Sequence, residues 1–194
     1  AGWIALESAI SGGADVALIP EIPYDINKAA EAIKRRQAKG KNFSIVVVSE
    51  GAMSKDGENE THSAEGIDAQ AGISIKFGGI GPKVAKELQE LTGLEARCTV
   101  LGYMQRGGTP TAYDRVLSTK YGAKAMELAM EEKFGVLTVI QNGKLTYVPL
   151  EEVVGNNKEL GAVQGGTEDS NVRLVTMDHD LVKTARDIGI CLGD

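Results

Sequence analysis

Two cysteines and two histidines among 194 residues leave few of the side chains that build metal centres. Cys98 and Cys191 each sit in an apolar context with no second sulfur or imidazole at ligand spacing. A single disulfide is compatible with the sequence, but two buried free thiols in a reducing compartment is the blander and preferred expectation. His62 and His179 lie in polar surroundings, which suits a solvated surface better than catalysis or metal ligation. No apolar run approaches the length of a membrane span and no charged-apolar-small leader opens the chain, so a cytoplasmic location without a membrane partner is expected. Positive charge is also short. With 21 Lys and Arg against 27 Asp and Glu, the net charge of -6 argues against a broad nucleic-acid surface while leaving room for a local cationic pocket. Neither a GxxxxGKS/T loop nor a GxGxxG turn occurs, and no internal repeat or low-complexity tract is present.

What is present is an alternation of strand and helix signals punctuated by glycine and proline. Trp3, Leu6 and Ile10 fall at helical spacing before the Gly12-Gly13 stop, and Val16 to Ile19 is a short apolar strand ending at a Pro20 to Pro23 break. Asp25 caps a helix with Ile26, Ala29, Ala30 and Ile33 on its apolar face, and Gly40 ends it. Ser44 to Val48 reads as a core strand, with Glu50 just beyond its C-terminal edge, where open parallel sheets gather their ligands. Residues 52–77 are polar and without a clear period, which suggests an excursion with one or two helical turns. Pro82 then opens a helix that buries Val84, Ala85, Leu88 and Leu91 and closes at Gly93. Near the C-terminus, Val136 to Ile140 is a strand, Asn142-Gly143 a hairpin turn into Leu145 to Val148, residues 155–166 a loop, and Asp178 the cap of a last helix.

The most informative stretch runs from Arg97 to Arg115. Arg97 to Leu101 suits a buried strand, Gly102 breaks it, and Tyr103 and Arg106 precede the Gly107-Gly108 pair. Thr109 and Pro110 are a good cap and first residue for a helix running to about Glu132. Strand, glycine turn and helix in that order set free backbone N–H groups and a helix's positive end beside a guanidinium, which is the chemistry of an anion site. A plain tight turn with a surface arginine fits the same spacing equally well.

VLGYMQRGGTPTAYDR closely resembles the signature of the phosphofructokinases, VLG-aromatic-x-QRGG-S/T-P-x-x-aromatic-DR, which lines their sugar-phosphate pocket. AGWIALESAISGGADVALIPEIPYDI and LVKTARDIGICLGD are similar to two further stretches of that family. The resemblance spans nearly the whole chain but only the second part of the family's length, and it implies that a Met-Gly-Arg sugar-phosphate motif immediately precedes Ala1. It implies an α/β three-layer sandwich with a mainly parallel sheet built from the strands near Val16, Ile45, Cys98 and Leu137. A C-terminal hairpin and helix would pack on a donor domain that is not in this chain. The implied division is 1–110 for sugar-phosphate binding, 111–150 reaching toward the donor domain and 151–194 as a return segment.

By the same resemblance Glu50, Arg97, Tyr103 and Arg106 bind fructose 6-phosphate, with Arg97 crossing to a neighbouring subunit of a homo-oligomer, dimer or tetramer. The activity implied is phosphoryl transfer to the 1-hydroxyl, in glycolysis, with Mg2+ and either ATP or pyrophosphate. No catalytic residue is expected in this chain, because neither the GGDGS-like donor loop nor the family's Asp-x-Asp cluster occurs in it. Tyr103 replaces the histidine of the compact ATP-dependent members. The long interval between Glu50 and Arg97, with Gly78-Gly79-Ile80-Gly81, is similar to the extended branch that includes pyrophosphate-using enzymes. Glu21, Lys39 and Lys41 resemble effector-site positions, with Glu21 as the metal ligand. The alternative function is a non-catalytic sugar-phosphate-binding or regulatory module.

Overall fold

The computed structural model describes residues 2–56, 79–154 and 174–194. The excursion expected over 52–77 falls mostly outside them, as do Gly78, His62 and the loop expected over 155–166. The chain divides into two compact units, Ala1–Val100 with Val172–Asp194, and Leu101–Asn171.

In the first unit α1 (Trp3–Gly12) leads to β1 (Val16–Leu18), α2 (Ile26–Ala38), β2 (Val46–Val48) and α3 (Ile80–Thr92), and α6 (Asp180–Asp187) closes it. β1 and β2 pair in parallel with Val16 opposite Val46 and Leu18 opposite Val48, and Val16 also bridges in parallel to Cys191. Successive strand residues face opposite sides of a sheet, so β1 feeds two cores. Val16 and Leu18 pack with Tyr24, Ala29, Ile33, Val84 and Leu88 of the α2 and α3 side. Ala17 and Ile19 pack with Leu6, Ala9, Val182 and Ala185 of the α1 and α6 side. This is a three-layer α/β arrangement, and each fully buried Leu or Val contributes about 1.5–3 kcal/mol.

Several boundaries differ from the sequence expectation. Arg97 to Leu101 forms no strand; it is irregular and exposed, with Val100 at 74%. Among the described residues β2 pairs only with β1, so its open side offers no ladder that would hold residues 97–101 extended, and Val46 to Val48 are half-buried. Cys98 is consequently exposed rather than buried and Cys191 is partly exposed; both are free thiols. α3 begins two residues before Pro82, at Ile80, because Gly79 takes a left-handed turn at its N-cap. His179, not Asp178, caps α6: its Nδ1 accepts from the Leu181 N–H, and its ring meets Trp3 edge-on at 4.9 Å. His179 is thus a structural cap rather than a solvated side chain.

The second unit holds a 3-10 turn (Gly102–Arg106), α4 (Ala112–Met130), an antiparallel pair β3 (Val136–Gln141) and β4 (Lys144–Pro149), and α5 (Leu150–Val154). Leu137 therefore lies in a two-stranded hairpin, not in the parallel sheet. Asn142 and Gly143 both have positive φ, 50° and 76°, as a two-residue turn matching strand twist requires. Of α4 only Leu128 is buried, and Tyr113, Val116, Met126 and Met130 are exposed.

Candidate functional site

The QRGG turn is presented to solvent. Tyr103 is 87% exposed, and the Arg106 guanidinium lies 6.0 Å from the centre of its ring, a cation–π contact within one 3-10 turn. No ion pair to Arg106 forms among the described residues. The turn closes through the Gly107 N–H donating to the Met104 carbonyl at 3.1 Å, and Gly108 has φ +92°, a conformation that favours glycine. An aromatic hydroxyl and a guanidinium fork thus stand together with their donors uncommitted to any carboxylate.

The expected contribution of the helix N-terminus is different. α4 starts at Ala112, not at Pro110, because Thr111 makes a stronger cap than Thr109. Its hydroxyl accepts from the Asp114 N–H at 3.3 Å while the Asp114 carboxylate accepts from the Thr111 N–H at 2.8 Å and its hydroxyl at 2.7 Å. The Thr111 hydroxyl, and then the Thr111 N–H, hold the Asp114 carboxyl below the usual carboxylate range. The positive end of α4 is already served by an anion from its own first turn. The Thr-x-x-Asp spacing from Thr111 to Asp114 is the sequence signal for this cap.

Arg97 and Glu50 belong to the first unit. Glu50 is exposed in the turn after β2, anchored by the Ser49 N–H donating to the Leu18 carbonyl at 2.9 Å. Arg97 is exposed beyond α3 and pairs with Glu95 at 2.8 Å. The ring contact brings Tyr103 and Arg106 together; Glu50 and Arg97 stand on separate segments of their own unit.

Lys39 and Lys41 are exposed at the C-terminal end of α2, where its dipole favours cations. Glu21 is elsewhere engaged: its carboxylate accepts from the Gly2 N–H at 2.9 and 3.1 Å and from the Val175 N–H at 3.2 Å. Sequence spacing gave no hint of this clamp, since the partners are 19 and 154 residues away. Among the described residues no three His, Cys, Asp or Glu side chains converge as a metal site. No described helix is long and apolar enough to cross a membrane.

A parallel strand pair between two helical layers defines an α/β protein of the open-sheet class. The phosphofructokinase family profile matches residues 1–129, and the chain belongs to that family. It is 46% identical to the ATP-dependent 6-phosphofructokinase 2 of Clostridium perfringens over 100% of this chain and 48% of the relative, and 41% identical to the ATP-dependent 6-phosphofructokinase of Spirochaeta thermophila, with the same coverage. The chain spans about half the length of the curated relatives it matches. Among solved structures it superposes on the phosphofructokinase of Saccharomyces cerevisiae with a TM-score of 0.61 at 30% identity, over 82% of this chain and 20% of that one. A pyrophosphate-dependent phosphofructokinase from Marinobacter aquaeolei gives the same TM-score at 20% identity, over 100% and 46%, a likeness of fold.

Proposed function

We propose that the chain is the sugar-phosphate-binding part of an ATP-dependent 6-phosphofructokinase, which transfers a phosphoryl group to the 1-hydroxyl of fructose 6-phosphate. The observation that carries the reading is the uncommitted Arg106–Tyr103 pair on the QRGG turn, within a chain similar throughout to enzymes named for ATP. A guanidinium offers a planar fork that matches two phosphate oxygens, and the Tyr103 hydroxyl adds a neutral donor. Glu50 is the acceptor for sugar hydroxyls. Arg97, releasing its exposed pair with Glu95, reaches the substrate of a neighbouring subunit in a cytoplasmic homo-oligomer. Exchange of an exposed ion pair costs little, so that pair does not oppose the role. The chemistry when ATP and magnesium are bound is in-line phosphoryl transfer; this chain's part is to bind and orient the acceptor.

The test is fructose 6-phosphate binding by the full-length enzyme and its Arg106→Ala variant. Loss of a charged partner of a desolvated phosphate costs about 2–5 kcal/mol, or about 30-fold to several thousand-fold in affinity. Because Arg106 is exposed, the melting temperature should hardly move. Unchanged affinity would remove Arg106 from the site.

A further inference from the structure

α1 begins without a cap of its own. Gly2 stands at its N-cap position with no side chain to offer, and the first turn contains no acidic residue. The carboxylate arrives from Glu21, which accepts the Gly2 N–H at 2.9 Å on Oε1 and 3.1 Å on Oε2. The same Oε1 accepts the Val175 N–H at 3.2 Å. One carboxylate therefore joins three stretches: the start of α1, the turn after β1 and the segment that leads into α6. The contact is partly buried beside Ile19, Ile22 and Val175, which are themselves buried, and a charge-assisted hydrogen bond is stronger there than in open water. Its negative charge also sits at the positive end of the α1 dipole.

Gly2 makes the approach feasible. A Cβ on it would stand 2.5 Å from the Ile19 Cβ and 2.7 Å from Glu21 Oε2, so any side chain displaces the carboxylate or the strand end. The absence of a side chain at position 2 and the presence of a carboxylate at position 21 are two halves of one contact.

We propose that Glu21 is a positioning residue, a helix cap supplied from outside the helix that fixes where the backbone enters α1, rather than a ligand for a metal-bound effector. The inference rests on the sugar-phosphate reading above and on the Met-Gly-Arg sugar-phosphate motif that the family resemblance implies just before Ala1; a displaced entry to α1 then weakens substrate binding and leaves the transfer step intact.

The experiment uses the full-length enzyme and two readouts, steady-state kinetics with fructose 6-phosphate and amide hydrogen exchange resolved to Gly2 and Val175. Loss of charge-assisted hydrogen bonds should raise KM in Glu21→Ala about tenfold or more, with kcat changed less than about twofold, and speed exchange at both amides. Glu21→Gln keeps an acceptor oxygen and should restore most of both. Gly2→Ala should reproduce Glu21→Ala, and the double variant should be no worse than the poorer single one. If Glu21→Ala does not fold, Glu21→Gln and Gly2→Ala decide on the same readouts. Wild-type exchange at Gly2 and Val175 in these variants overturns the proposal. So does an unchanged KM combined with loss of a response to ADP and magnesium, which would make Glu21 a metal ligand after all. Failure of the wild-type enzyme to bind fructose 6-phosphate would instead sink the functional reading, with the exchange data still judging the cap.

Discussion

Replacing Tyr24 by phenylalanine should stabilise the protein or leave it unchanged, although Tyr24 is one of the most deeply buried side chains. The residue is 1% exposed and packs with Val16, Leu18, Ala29 and Val84. Its backbone is held on both sides, the N–H donating to the Met53 carbonyl at 2.9 Å and its carbonyl accepting the Lys55 N–H at 2.8 Å. The hydroxyl alone is unserved: among the described residues it has no hydrogen-bond partner. A buried hydroxyl in that state costs about 1–3 kcal/mol, so its removal should return up to about 2 kcal/mol once the small void is charged against it. The alkaline limb provides a second check. Burial first, and the negative charge of Glu87 second, push the phenol from 10.0 up to about 12. Between those values the unfolded chain releases its proton while the folded protein keeps it, so stability is full below pH 10 and falls as pH rises toward 12. The loss is at most about 3 kcal/mol, from two units at 1.36 kcal/mol each. Thermal unfolding of the full-length protein and of Tyr24→Phe from pH 8 to 11.5 should show the variant equal or higher at pH 8 and with a shallower decline above pH 10. A variant less stable by more than about 1 kcal/mol at pH 8 would mean that the hydroxyl has a partner, and the reasoning would fall.

Thr111→Ala should lower the stability of the α4 region by about 1 kcal/mol, read by amide exchange at Asp114 and Arg115. Because the Asp114 carboxyl is held below its ordinary range, the capping box is intact at neutral pH and lost as pH falls through the folded value; the wild type should therefore lose α4 protection in acid, and Thr111→Ala should lose less. Gly193→Ala combines a φ of +81° with a Cβ only 2.6 Å from the Tyr24 Cβ, and should cost about 2–4 kcal/mol in denaturant unfolding; a cost under about 1 kcal/mol would show that the C-terminal segment yields freely. The 194-residue chain expressed alone should give no fructose 1,6-bisphosphate from fructose 6-phosphate and ATP, since the family's donor loop and Asp-x-Asp cluster do not occur in it, and measurable turnover would point to Glu50 as a base.

The layered half of the fold was legible because it depends on local periodicity. The four residues from Val16 to Ile19 alternate between two cores, and the helices on either side bury the faces their spacing marks. What was not legible depended on partners far away in sequence. Arg97 to Leu101 has the composition of a strand, but composition supplies no neighbouring ladder, and without one the segment stays irregular. Cys98 is exposed, not buried as its apolar context suggests, for the same reason. At the site, the residue types of the QRGG turn were readable and their mutual contact followed from a three-residue separation on a tight turn. Glu21 was readable as a carboxylate beside a strand end, but its partners come from the first residues and from the return segment, which no spacing rule connects.

A common physical thread links the N-termini of α4 and α1. A helix N-terminus offers a small number of unsatisfied N–H groups and one dipole end, and it is satisfied by whichever acceptor is held nearest. In α4 that acceptor is Asp114, three residues from its cap; in α1 it is Glu21, brought in from the turn after β1. A carboxylate already tethered by the chain competes at an effective concentration that a free ligand rarely matches. A phosphate approaching the QRGG turn thus meets a helix end that already carries a carboxylate and a guanidinium that, among the described residues, carries none. Under the function proposed above, recognition of the substrate phosphate would then fall to the Arg106 side chain, with Tyr103 as its neutral neighbour, rather than to backbone amides.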